Sequence, residues 1–95
     1  MEKTTQRAVI FEEGDIWIAQ CIDLDINAQG KTVKAAADNL ALTIRADLQH
    51  CDENGLNPAE IIGPAPDHYR NLWDETPSRF VPDAAPDHVE FALSA

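Results

Sequence analysis

Much of what usually marks a function is scarce or missing in this sequence. No apolar run approaches the ~20 residues needed to cross a bilayer, which argues against a membrane-spanning chain. Positive charge is thin: seven Lys and Arg stand against seventeen Asp and Glu, a net charge of -10. Such a field repels phosphate backbones and anionic lipid surfaces, so direct nucleic-acid binding by this chain alone is not expected. It would speed encounter with a basic partner, although an acidic surface also serves plain solubility. Only two cysteines are present, Cys21 and Cys51. The start, Met1-Glu2-Lys3-Thr4-Thr5-Gln6-Arg7, lacks the apolar middle of a secretory signal, so a cytoplasmic address is expected. In that setting the cysteines read as small buried side chains and not as a disulfide. Gly-rich phosphate loops, nucleophile elbows and basic-aromatic patches are not found either, and no cofactor is implied.

What is there is globular. The chain has 95 residues, of which 44% are apolar and 25% charged, enough for one modest core. Residues 7–12 and 16–22 are rich in β-branched and aromatic types, and Glu13-Gly14-Asp15 between them supplies turn chemistry, which predicts a hairpin. In its second strand Ile16 and Ile18 point to one face while Trp17, Ala19 and Cys21 point to the other, so both faces carry apolar groups. One helix covers only one of them; the other must meet the proline-rich tail, a second copy of the chain, or a partner.

Asp23-Leu24-Asp25 reads as a bend leading to a short third strand over 26–29. Thr32 is then placed to cap a helix from Val33, in which Ala36, Ala37, Leu40, Ile44, Leu48 and Cys51 recur at spacings of three and four. Gly55 is the expected stop, with Pro58 behind it. All six prolines fall between Pro58 and Pro86. Within that stretch Asp67 is placed to cap one short helix bearing Tyr69, Leu72 and Trp73 on a shared face, and residues 88–93 alternate like a strand that rejoins the sheet. The tetrapeptide Ala65-Pro66-Asp67-His68 recurs at 85–88, which reflects the use of Pro-Asp to open turns and helices.

The expected fold is therefore α+β: a small antiparallel sheet of three to four strands packed on one long helix, in the order β-β-β-α, short helix, β. Residues 1–57 and 86–95 form the domain, and 58–85 are a proline-rich insertion with a short helix packed on it.

Candidate chemistry is sparse. Asp23 and Asp25 are the obvious carboxylate pair, and with Asp15 they are of a type to hold a divalent cation, but the spacing of a full calcium loop is missing and solvated turn residues are the plainer reading. His50, His68 and His88 are far apart in sequence and no Cys or His pair has zinc spacing, so no metal site is expected. A Cys-His pair using Cys21 would form only in space, and its strand position favours a buried, inert thiol. No catalytic residue is assigned, and the chain is not expected to be an enzyme. A small-molecule or metal-binding enzyme using Asp23, Asp25 and Cys21 is the rival reading, beside a purely structural or oligomerisation domain. For a binding module the candidate contact residues are Trp17, Asp23, Asp25 and Trp73, since tryptophans often anchor interfaces.

The hairpin, the strand Ile18-Ala19-Gln20-Cys21, the Asp23-Leu24 bend, and Gln29-Gly30-Lys31-Thr32 opening a helix together resemble the HicB-like antitoxin family over about half of the chain, from Ala8 to Leu48. The resemblance implies a partial ribonuclease-H-type fold, a last strand returning to the sheet edge, a homodimer, and binding to a small basic toxin that cleaves RNA. The chain departs from the family pattern at Asp23-Leu24-Asp25-Ile26-Asn27, where a Pro-Gly-Cys-like bend is usual, and at Ala35, where Glu often completes a capping box. No helix-turn-helix or ribbon-helix-helix pattern follows the sheet region, so operon repression is not implied. Nor is nuclease activity, because the first strand, Ala8-Val9-Ile10-Phe11, has no carboxylate in its interior.

Overall fold

The computed structural model describes residues 6–81 and 89–94. The N-terminal residues 1–5 and the second Ala-Pro-Asp-His tetrapeptide at 85–88 lie outside the described residues. Alternation in the first third of the chain produces β1 (Gln6–Glu13), β2 (Ile16–Cys21) and β3 (Asn27–Gly30), the helical stripe produces α1 (Val33–Glu53), and the proline-rich stretch produces α2 (Pro58–Ile61), α3 (Asp67–Glu75) and β4 (Arg79–Phe80) before β5 (Val89–Ser94) closes the sheet.

The α+β class is as expected, with a larger sheet. Five strands lie in the order β3-β2-β1-β5-β4. β1 pairs antiparallel with β2, β2 with β3, and β4 with β5, but β5 runs parallel to β1, with Ala8 beside Phe91 and Ile10 beside Leu93. The sheet is thus mixed, not antiparallel. A parallel neighbour needs a long crossover, and everything from β2 to β4 supplies it. Residues 58–81, expected to hold one short helix, hold two helices and an edge strand.

Register decides which side chains meet α1. Ala8 opposite Cys21 and Ile10 opposite Ala19 face the helix, as do Val89 and Phe91 from β5. Against them α1 sets Ala36, Ala37, Leu40, Ala41 and Ile44, with Leu24 and Ile26 closing the end beyond β2. Each fully buried Val, Leu, Ile or Phe side chain of this layer contributes about 1.5–3 kcal/mol of transfer free energy, and the alanines less. The helix begins where expected: Thr32 Oγ1 accepts from the Ala35 amide at 3.0 Å. Gly30 lets the helix start press on the sheet, because a Cβ there would lie 2.6 Å from the Ala36 nitrogen.

The opposite face is covered by the chain's own tail. Val9, Ile22 and Ala92 are buried under Trp73 of α3, with Phe11, Tyr69 and Leu72 half-buried around them. The apolar residues Tyr69, Leu72 and Trp73 do share a face, but Asp67 is not the cap: Pro66 holds that position without a side-chain bond, and Asp67 is the first helical residue, where its charge suits the helix dipole.

Candidate functional site

The bend after β2 holds the acidic pair, and hairpin geometry determines its partner. Because Ala8 lies opposite Cys21, the chain just beyond β2 comes alongside Arg7, whose carbonyl accepts from the Ile22 amide at 2.8 Å. Asp23 is then gripped from two directions. Its Oδ2 accepts from the Arg7 backbone amide at 2.8 Å, and its Oδ1 from Arg7 Nη2 at 2.7 Å, with Nε at 3.3 Å from both oxygens. The hydrogen bond from Arg7 to Asp23 raises the guanidinium above its ordinary value, partial burial opposes this, and the charges of Asp23 and Asp74 reinforce it.

Arg7 also reaches α3, with its guanidinium carbon 5.9 Å from the centre of the Trp73 ring, while that of Arg79 lies 3.9 Å from the same ring. Arg79 Nη2 donates to the Trp73 carbonyl at 2.9 Å, its Nη1 to the carbonyls of Ser78 and Thr76, and its Nε stands 3.9 Å from Glu90 Oε1. These charges are spent on each other and on the indole. The cluster fastens α3 to the sheet; Trp73, 8% exposed, is committed to its own chain and presents no ring to an outside molecule.

Asp25 turns elsewhere. It is exposed, its Oδ1 accepts from Gln20 Nε2 at 3.1 Å, and its amide donates to the Gly63 carbonyl at 2.8 Å. The structure therefore ties Asp23 to Arg7 and Asp25 to Gln20 and does not join the two as a pair. Trp17 is half-buried, packed against the α1 side of the core and paired in register with Glu12 and Gly30. Cys21 is buried, its Sγ 3.7 Å from Gln6 Oε1, and burial pushes its thiol up. Among the described residues no three His, Cys, Asp or Glu side chains come together as a set able to hold a metal ion.

Arg7, Arg79 and Glu90 were not singled out by sequence reasoning. The signal for Arg7 lies in the turn: a two-residue hairpin turn at Gly14-Asp15 fixes the register and sets position 7 opposite position 22, next to Asp23 in the chain. Nothing comparable foretold Arg79, since a two-residue strand leaves no alternation to read.

Outside these contacts the surface is acidic. The three ion pairs among the described residues, Arg7–Asp23, Lys34–Asp38 and Arg79–Glu90, remove equal numbers of each sign and leave the imbalance of the sequence untouched. Glu12, Glu13 and Asp15 crowd the exposed hairpin end, and Asp52 and Glu53 the exposed end of α1. No family model, curated protein or solved structure matches the chain.

Proposed function

We propose that this chain is a protein-binding module of the HicB-like antitoxin kind that captures a small basic protein, an RNA-cleaving toxin being the partner the resemblance implies. It acts in the cytoplasm, as a homodimer, and without catalysing a reaction. The observation that carries this reading is the charge: a net -10 on a chain in which Arg7 and Arg79 are already paired with carboxylates within the fold. Such a surface draws in a basic partner and turns away competing anions. The exposed aliphatic side chains Leu42 and Ile61 add apolar area of the type interfaces use.

The test begins with a short basic reading frame encoded beside this chain. Its product is expected to co-purify with the acidic chain, to cleave RNA when alone, and to stop cleaving when the chain is added, with affinity falling steeply as salt rises. A basic neighbour whose cleavage of RNA continues unchanged at saturating concentrations of the acidic chain would overturn the antitoxin reading. Sedimentation of the pure chain as a monomer at all concentrations would remove the homodimer.

A further inference from the structure

The C-terminal end of α1 is shaped by Gly55, which adopts φ +64 in the left-handed region. That conformation lets the Gly55 amide donate to the Asp52 carbonyl at 3.3 Å and the Leu56 amide to the Cys51 carbonyl at 2.8 Å, closing two carbonyls the helix end would leave open. The chain is thereby folded back along the helix. Asn57 then starts α2, its Oδ1 accepting from the Ala59 amide at 3.0 Å, with Pro58 as the first helical residue. Between this return and the last turns of α1 lies an open groove of about 510 Å³ lined by Leu48, Gln49, Asp52, Leu56 and Pro58. Leu56 keeps 38% of its surface exposed there, although the backbone that carries it is tied at both ends.

We propose that this groove seats the apolar anchor of a basic partner segment, one that carries aliphatic side chains with Lys or Arg beside them. The proposal rests on the binding-module reading and supplies the surface that reading lacks. The volume accommodates several aliphatic side chains. The choice of a basic occupant follows from charge: Asp52 lines the groove, exposed Glu53 follows it, and exposed Glu60 stands in α2 just beyond Pro58. An acidic segment would meet like charge, and an uncharged one would gain no steering. The apolar strip also continues along the helix. Leu42, 60% exposed, and Ala46 precede Gln49 at spacings of four and three, so they lie on one side of α1 in line with the groove, with exposed Arg45 as a cation beside them there. A helical segment with aliphatic residues along one side and cations flanking them matches that strip.

The experiment uses the full ¹⁵N-labelled chain and three synthetic peptides: one with Leu at helical spacing and Lys elsewhere, one with Glu replacing every Lys, and one with Ser replacing every Leu. The Lys-Leu peptide is expected to shift the amide signals of Leu48, Gln49, Asp52 and Leu56, and the other two peptides to leave them in place. Leu56→Asp is expected to weaken binding about tenfold even though it adds negative charge, which separates apolar seating from bulk attraction. Asp52→Lys is expected to weaken it about fivefold. Both positions are exposed, and an unchanged Tm shows that the fold is intact; if Leu56→Asp lowers Tm, Leu56→Ala takes its place. Shifts centred on Glu12, Glu13 and Asp15, or binding indifferent to the Leu56 substitution, would overturn the groove while leaving the acidic module standing. Failure of every basic peptide and of the basic neighbour protein to bind would take the module reading down with it.

Discussion

On one face of the sheet α1 lays a stripe of aliphatic side chains along a helix of 21 residues, while on the other the nine residues of α3 hold on with a single buried ring. The first layer is mainly apolar burial, with few polar contacts: Asn39 Nδ2 donates to the Gln29 carbonyl at 2.8 Å, and buried Gln6 sets its Oε1 beside Cys21 Sγ. The second buries Val9, Ile22, Ala92 and Trp73 and supplements them with Arg7, Asp23, Arg79 and Glu90 at the rim. Apolar burial scales with area and tolerates small shifts, whereas a clamp of charged groups around one ring is only as good as its geometry. The α1 layer is therefore expected to set global stability, and the α3 layer to be the part that opens first.

Emptying the centre of each layer tests this. Phe91→Ala removes the largest fully buried side chain under α1 and is expected to cost about 3–5 kcal/mol, a large share of the whole for a domain this size; urea unfolding measures it. Trp73→Ala is expected to cost about 2–3 kcal/mol, less because half-exposed Phe11, Tyr69 and Leu72 can settle into the space. Hydrogen exchange should then quicken across 67–75 while the amides of α1 keep their protection. Equal deprotection of both helices would show that the two layers form one cooperative unit.

Gly30→Ala probes the join between the sheet and the stronger layer. The added methyl would lie 2.6 Å from the Ala36 nitrogen and 2.7 Å from the Ala35 Cβ, and since the nearer atom is backbone, the first turn of α1 must move. The expected loss is about 2 kcal/mol, seen as a lower urea midpoint with an unchanged slope.

The difference between the layers is also a difference in legibility. The α1 layer could be read from the chain because period is a local property: Thr32, the stripe from Ala36 to Cys51 and Gly55 mark start, face and stop in one continuous segment. Trp17, Ala19 and Cys21 were separable from Ile16 and Ile18 by alternation alone. The direction of β5 was not, since Val89, Phe91 and Leu93 alternate identically whichever way the strand runs, and its parallel pairing with β1 depends on the route of the whole tail. The clamp at α3 adds positions 73 and 79 to positions 7 and 23, and no local pattern connects that tail to the hairpin. Asp23 is legible in the chain as a carboxylate, but its neutralisation by Arg7 needs the hairpin register.

A smaller effect is expected from that pair. Asp23→Asn keeps the shape of the side chain and removes the charge that Arg7 grips; both partners are about a third exposed or less, so solvent already weakens the bond. The expected cost is about 1 kcal/mol, reduced further by added salt, and a double-mutant cycle with Arg7→Gln isolates the interaction. A coupling indistinguishable from zero would leave α3 held by the packing of Trp73, Tyr69 and Leu72 and by Arg79.

The smallest expected effect lies between the layers, at Cys21. Its thiol is buried beneath α1, and burial raises it above its ordinary value, with only partial opposition from the backbone groups of Leu24 and Asp23. In the unfolded chain the thiol ionises near its usual value of about 8.5, while the folded chain resists that ionisation. The contribution to stability is therefore complete below that pH and lost progressively as the pH climbs from there toward the folded value. Under reducing conditions urea unfolding of the wild-type chain should weaken between pH 7.5 and 9.5 (roughly either side of the unfolded value) by more than that of Cys21→Ala, whatever the variant loses to its cavity. Parallel pH profiles for the two proteins would mean that Cys21 meets water in the folded state, and hence that the α1 layer is less tightly sealed than its aliphatic stripe implies.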